Sequence, residues 1–152
     1  MHKSLNTRMK KKGFTLSELL LAVAILAFAL TSLLAEFFAC FLLNEANRNL
    51  TTAVTHAQFV MEDIRDENVL ATIRNNIDTG LWDWDTDLEF TNNGLERLSG
   101  EAIDACCYNT GNGTCETNCP GLDLLPIRVR VDWQDRGPRN RNITFETLVA
   151  EP

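Results

Sequence analysis

Apolar and polar positions change rhythm three times along the chain. From Phe14 to Leu43 almost every residue is apolar (FTLSELLLAVAILAFALTSLLAEFFACFLL), and only Glu18 and Glu36 are charged. The uncharged middle, Leu19 to Ala35, is 17 residues long. As a helix it spans about 26 Å, close to the hydrocarbon thickness of a bilayer. With its flanking Phe, Cys and Leu residues the run is long enough to cross, and no Pro or Gly interrupts it.

From Asn44 to about Arg65 the pattern becomes one-sided. Leu50, Ala53, Val54, Ala57, Val60, Met61 and Ile64 recur at steps of three and four, while Asn47, Arg48, Thr52, Gln58 and Glu62 fill the other face. This predicts one helix over about residues 14–68. Its first half needs lipid or sister helices around it; its second half needs a domain to lean on. After about Asn75 the helical signal fades into loops and short strands, marked by Gly80, the WDWDTD stretch, Asn92-Asn93-Gly94 and Gly100. The third rhythm is alternation. Ile127, Val129, Val131 and Trp133 alternate with Arg128, Arg130 and Asp132. Farther on, Ile143, Phe145, Thr147 and Val149 share one face. The polar QDRGPRNR between them predicts an antiparallel hairpin with a longish loop around Gly137-Pro138. The whole is an α+β chain: a long N-terminal helix, transmembrane in its first half, packed on a small antiparallel sheet.

Charge sharpens this picture. Five of the 14 cations (Lys3, Arg8, Lys10, Lys11, Lys12) lie in residues 1–13, which hold no acid. The remainder carries nine cations against all 21 acids, a balance of −12. A basic cluster just ahead of an apolar run keeps that end cytoplasmic while the rest crosses. The acidic remainder would repel phosphates, so nucleic acid is not expected as its partner. Cys40 lies in the apolar run as a small apolar contact. Cys106, Cys107, Cys115 and Cys119 crowd into a turn-rich loop, 106–121. In an exported domain they are disulfide candidates with three connectivities open. A bond between adjacent Cys106 and Cys107 would be strained, so each is expected to join one of the later two. Four thiolates could also hold zinc, but the paired CxxC knuckles of such sites are absent.

Gly13-Phe14-Thr15-Leu16-Ser17-Glu18, after a short basic leader and before an apolar helix, resembles the signature of type IV prepilins. These are the precursors of type IV pilins and of the pseudopilins of type II secretion systems. The resemblance covers about residues 10–40; Ser17 stands where the family most often has isoleucine or valine. It implies a pilin-like fold and cleavage between Gly13 and Phe14 by a membrane-embedded prepilin peptidase, with N-methylation of the new Phe14 amine. It divides the chain into a cleaved leader (1–13), a transmembrane or filament-core helix half (14–43) and an amphipathic half with a globular domain (44–152). The implied partners are the prepilin peptidase/N-methyltransferase, other pilin or pseudopilin subunits and the inner-membrane assembly platform. The implied location is the bacterial inner membrane, single-pass, with the globular domain periplasmic or extracellular once assembled. Glu18 is the assembly residue: a carboxylate near the membrane edge can meet the Phe14 ammonium of a neighbouring copy, and pairing two poorly solvated charges sets the stagger between subunits.

Weaker likenesses narrow the family. VRVDW, the Gly137 loop and RNITFETL, together with AQFVMEDIR on the helix, are similar to minor pilins, namely the type IV pilus modification protein called V and the minor pseudopilin called I. The resemblance implies a low-abundance subunit that primes assembly at or near the filament tip. The alternatives are a major pilin of the shaft, or a pilus-borne adhesin or DNA-uptake module that uses loop 106–121 or a local patch of Arg136, Arg139 and Arg141.

No catalytic set is legible. His2 falls in the leader, and His56 is expected to be a partly exposed helix residue rather than a base. Asp83, Asp85, Asp87 and Glu89 alternate as calcium ligands do, but the run lacks the turn glycine of such loops. The expectation is an acidic exposed loop with Trp82 and Trp84 packed inward and no metal or other cofactor, with calcium as the alternative.

Overall fold

A computed structural model describes residues 15–116, 118–136 and 139–150. The elements run α1 (Leu16–Asp66), α2 (Leu70–Asp78), α3 (Asp87–Asn92), β1 (Ala102–Cys107), β2 (Leu124–Asp135) and β3 (Arg139–Ala150). The three strands form one antiparallel sheet in the order β1-β2-β3. The fold is therefore α+β and pilin-like, with a long N-terminal helix and a small antiparallel sheet. The chain divides into two compact units, Met1–Phe41 and Leu42–Pro152.

In the first unit α1 exposes its large apolar side chains all round; Leu16, Phe28, Leu33 and Phe37 are each at least 66% exposed. A surface of this kind is not left to water, and the helix is long and apolar enough to cross a membrane. Its few hydroxyls are satisfied within the helix. Thr31 donates to the carbonyls of Ala27 and Phe28, and Ser32 to those of Phe28 and Ala29. The Thr31 and Ser32 hydroxyls therefore need no outside partner in an apolar medium.

Of the stripe the helical spacing predicts, Leu50 is exposed and Val54 half-buried in the second unit, and α1 buries Ala53, Ala57, Val60, Met61 and Ile64. These residues share one core with Ile127, Val129, Val131 and Trp133 of β2 and with Ile73, Trp82 and Phe90. On β3 Ile143, Phe145, Thr147 and Val149 are half-buried and alternate with exposed residues.

Three elements depart from expectation. A second helix, α2, follows α1, and its C-terminus is closed by the Leu81 N–H to the Asn76 carbonyl and the Gly80 N–H to the Ile77 carbonyl. Gly80 sits at φ +71, a left-handed conformation that closes this type of cap and that L side chains avoid. The acidic stretch runs into a short helix, α3. There Glu89 accepts the N–H groups of Asp85 and Thr86, and these bonds hold its carboxyl below the usual glutamate range. The contribution of this cap is present above the ordinary value of 4.5 and lost as pH falls through the lowered one. Glu89→Gln should lower the melting temperature by a few degrees at neutral pH and flatten its fall in acid, followed by tryptophan fluorescence.

The hairpin connection is also shorter than expected. Asp135 pairs with Arg139 and Gln134 with Asn140, so only residues 136–138 join the strands. Polar residues extend the ladder here because main-chain bonds, not apolar side chains, hold a solvent-exposed hairpin end. Gly137 and Pro138, on which the longer loop was expected, lie outside the described residues.

Candidate processing and assembly site

Gly13 and Phe14 lie outside the described residues, so the geometry begins at Thr15. Thr15 opens α1. Its Oγ1 accepts the Glu18 N–H at 3.4 Å, and its carbonyl accepts the N–H groups of Glu18 and Leu19 at 3.1 and 3.2 Å. Thr15 and Glu18 therefore occupy the N-cap and N3 positions, the spacing of a capping box. Glu18 also places an acid in the first turn, where the helix dipole favours negative charge. This local role is spelled in the sequence as Thr-x-x-Glu and is missed when the glutamate is read only as an intermolecular partner. Glu18 is exposed, so its carboxylate is accessible to another molecule.

Residues 8–34 match the family model described as the prokaryotic N-terminal methylation motif. The match supports a type IV pilin-like protein. No curated protein and no solved structure matches the chain.

The cysteine segment is stapled in one pairing: Cys106 to Cys115 and Cys107 to Cys119. Adjacent residues of a strand face opposite sides of its sheet, so the two bridges leave β1 in opposite directions. Arg128, on β2, fastens the same segment. It donates to the Gly113 carbonyl at 2.6 Å and to Glu146 at 2.7 Å, and lies over the Tyr108 ring at 4.7 Å. These hydrogen bonds from Arg128 and Tyr108 hold the Glu146 carboxyl below its usual range. β1 begins at Ala102 and takes in both neighbouring cysteines, so a segment expected as loop is in part strand. Its alternation is hidden by the consecutive buried residues Ala105, Cys106 and Cys107.

The outer edge of β1 is covered. Trp84 exchanges both main-chain bonds with Ile103, at 2.9 and 2.8 Å. The Asp83 carboxylate accepts the Ala105 N–H at 3.0 Å, and the Glu116 N–H reaches the Cys107 carbonyl at 2.8 Å. Trp82 and Trp84 are buried as expected. Trp82 donates to Asp63 of α1 at 2.6 Å. Three of the four alternating acids hold the fold through their carboxylates: Asp83 at the strand edge, Asp87 with Arg97 at 2.9 Å, and Glu89 at the cap of α3; Asp85 is exposed. Among the described residues one group of three potential metal ligands comes together, Asp104, Cys106 and Cys115. Two of these three are joined to each other as a disulfide and offer no thiolate.

His56 corrects the sequence expectation. It is buried, 3% exposed, and its Nδ1 lies 2.8 Å from Oε1 of Glu101, which is fully buried. Oε2 of Glu101 accepts the Leu98 N–H at 2.7 Å, and Arg97 donates to the Glu101 carbonyl. The Phe90 ring lies against the imidazole at 5.6 Å. His56 falls between Ala53 and Ala57 on the apolar stripe, so it faces inward. The sequence placed it beside the apolar face and partly exposed; what holds it inside is a partner 45 residues away, which no local pattern announces.

Proposed function

We propose that the chain is a minor pilin or pseudopilin, a low-abundance subunit that primes assembly at or near the tip of a type IV pilus or a type II secretion pseudopilus. The observation that carries the reading is the sequence Gly-Phe-Thr-Leu-Ser-Glu leading into a helix whose turns from Leu16 onward expose apolar residues on every side. Such a helix is unstable in water alone and is at home in lipid or among sister helices. On this reading residues 1–13 are removed on the cytoplasmic side, Phe14 is methylated, and Glu18 meets the Phe14 amine of an adjoining copy. The domain from residue 44 onward lies on the far side of the membrane, where two disulfides are at home in an oxidising compartment. The role is structural: His56, Asp83, Asp87 and Glu89 are engaged in holding the fold.

Mass spectrometry of the protein from cells with an active prepilin peptidase should show residues 1–13 lost and one methyl group gained at Phe14. A bulky residue at Gly13 should leave the precursor uncut. Glu18→Ala should still be cut but should fail to assemble or to be methylated. Wild-type protein that keeps Met1 through Gly13 overturns the reading. Scarcity in sheared filaments supports the minor role, and abundance supports the shaft.

A further inference from the structure

We propose that the end of the β2–β3 hairpin is a docking surface for anionic phospholipid headgroups, which holds the unassembled subunit down on its membrane. The proposal rests on the membrane-anchor reading of the apolar run. Within the second unit a groove of about 420 Å³ has Leu42, Leu43 and Ala46 of α1 on one side and Arg136, Arg139 and Arg141 on the other. Leu42 and Leu43 close the apolar run roughly 10 Å of helix beyond Ala35, where the uncharged middle ends, which puts them at the depth of the headgroup layer. Arginines at that level meet phosphates, for which the guanidinium fork is suited.

The charges favour an anion. Glu45 pairs with Arg136 and Asp135 with Arg141, each at 3.2 Å, so the groove's two acids are matched and its three cations leave one positive charge over. Arg136 and Arg141 keep 65% and 52% of their side-chain surface exposed. Burial disfavours the charge of Asp135, but hydrogen bonds from Asn49, Trp133 and Arg141 prevail and hold its carboxyl below the usual range, which keeps the hairpin end fastened to α1. A neighbouring groove of about 610 Å³ is lined by three arginines and three acids and carries no such excess. A positive surface in a chain whose residues from 14 onward balance at −12 is a local arrangement, placed where the apolar run ends.

The test uses the full chain in vesicles of phosphatidylcholine alone or with an equal part of phosphatidylglycerol. In a Cys40→Ala background, Asn140→Cys carries an environment-sensitive fluorophore and Leu30→Cys carries the same label in a second sample. A headgroup quencher reads the hairpin and an acyl-chain quencher reads the apolar run. Quenching at position 140 should rise at least about twofold with phosphatidylglycerol and fall with salt. Arg136→Gln/Arg139→Gln/Arg141→Gln should abolish the rise, the three lysine replacements should retain it, and Arg139→Gln alone should reduce it if the triple variant does not fold. A label at 140 that is equally quenched in both lipids, or unquenched in both, overturns the proposal while quenching at position 30 upholds the anchor. Loss of quenching at position 30 overturns the anchor reading itself. Displacement of the hairpin from phosphatidylglycerol vesicles by duplex DNA at equal phosphate, or burial of the label only as protein density rises, assigns the surface to nucleic acid or to another subunit and overturns the lipid proposal.

Discussion

Glu101→Ala should destabilise the globular unit by about 2–5 kcal/mol, the cost of leaving two buried hydrogen-bonding groups without their partner at about 1–3 kcal/mol each. Both carboxylate oxygens are in use, one toward His56 and one on the Leu98 N–H, and the residue is fully buried. Truncation leaves an imidazole and a main-chain donor without partners, and a void beside Phe90. Neither can be rescued by solvent without opening the core between α1 and the start of β1. Glu101→Gln should cost less, about 1–3 kcal/mol, because its amide oxygen can still serve one of the two groups. The measurement is convenient because the protein's three tryptophans, Trp82, Trp84 and Trp133, all lie in this unit and are buried. Urea unfolding of the full chain in detergent, followed by tryptophan emission, reads the unit without interference from the apolar helix. Equal stability of the Ala variant and wild type would show that the pair carries no weight.

The second large effect is expected at the Cys107–Cys119 bridge. It closes a sequence separation of 12 residues, for which the chain-entropy estimate is about 3 kcal/mol. Cys107 is fully buried in the core and Cys119 packs against it, whereas Cys115 of the other bridge is exposed. Cys107→Ala with Cys119→Ala should therefore lower stability by about 2–4 kcal/mol. A mild reductant should open Cys106–Cys115 first, as alkylation and mass spectrometry would report. A loss below about 1 kcal/mol would mean that strand pairing and the Arg128 contacts already hold the segment without the bond.

What could be read in advance follows the range of the forces. The helix stripe Ala53, Ala57, Val60, Met61 and Ile64 and the strand face Ile127 to Trp133 obey periods set by local geometry, so their burial was legible. The inward packing of Trp82 and Trp84 followed from size and apolarity. The strand β1 was not legible, because its covering groups come from Asp83, Trp84 and Glu116, and no local rhythm announces a partner so far along the chain. The burial of His56 and its pairing with Glu101 were hidden for the same reason: the carboxylate that makes an inward histidine tolerable lies 45 residues away. The short helices α2 and α3 rest on end closures, at Gly80 and Glu89, more than on long periodic runs. At the N-terminus the methylation motif was legible and is matched over residues 8–34, while the capping role of Thr15 emerged only with the start of α1.

The sheet is sealed along one border and unsealed along the other. Ile103 has both outward main-chain groups occupied, Ala105 its N–H and Cys107 its carbonyl, whereas among the described residues no strand lies beyond β3. A foreign strand can therefore join only alongside Arg139–Ala150. A copy whose cysteines stay reduced loosens the seal at Cys107 and becomes sticky on both flanks, so oxidation protects this domain from clumping as well as from unfolding.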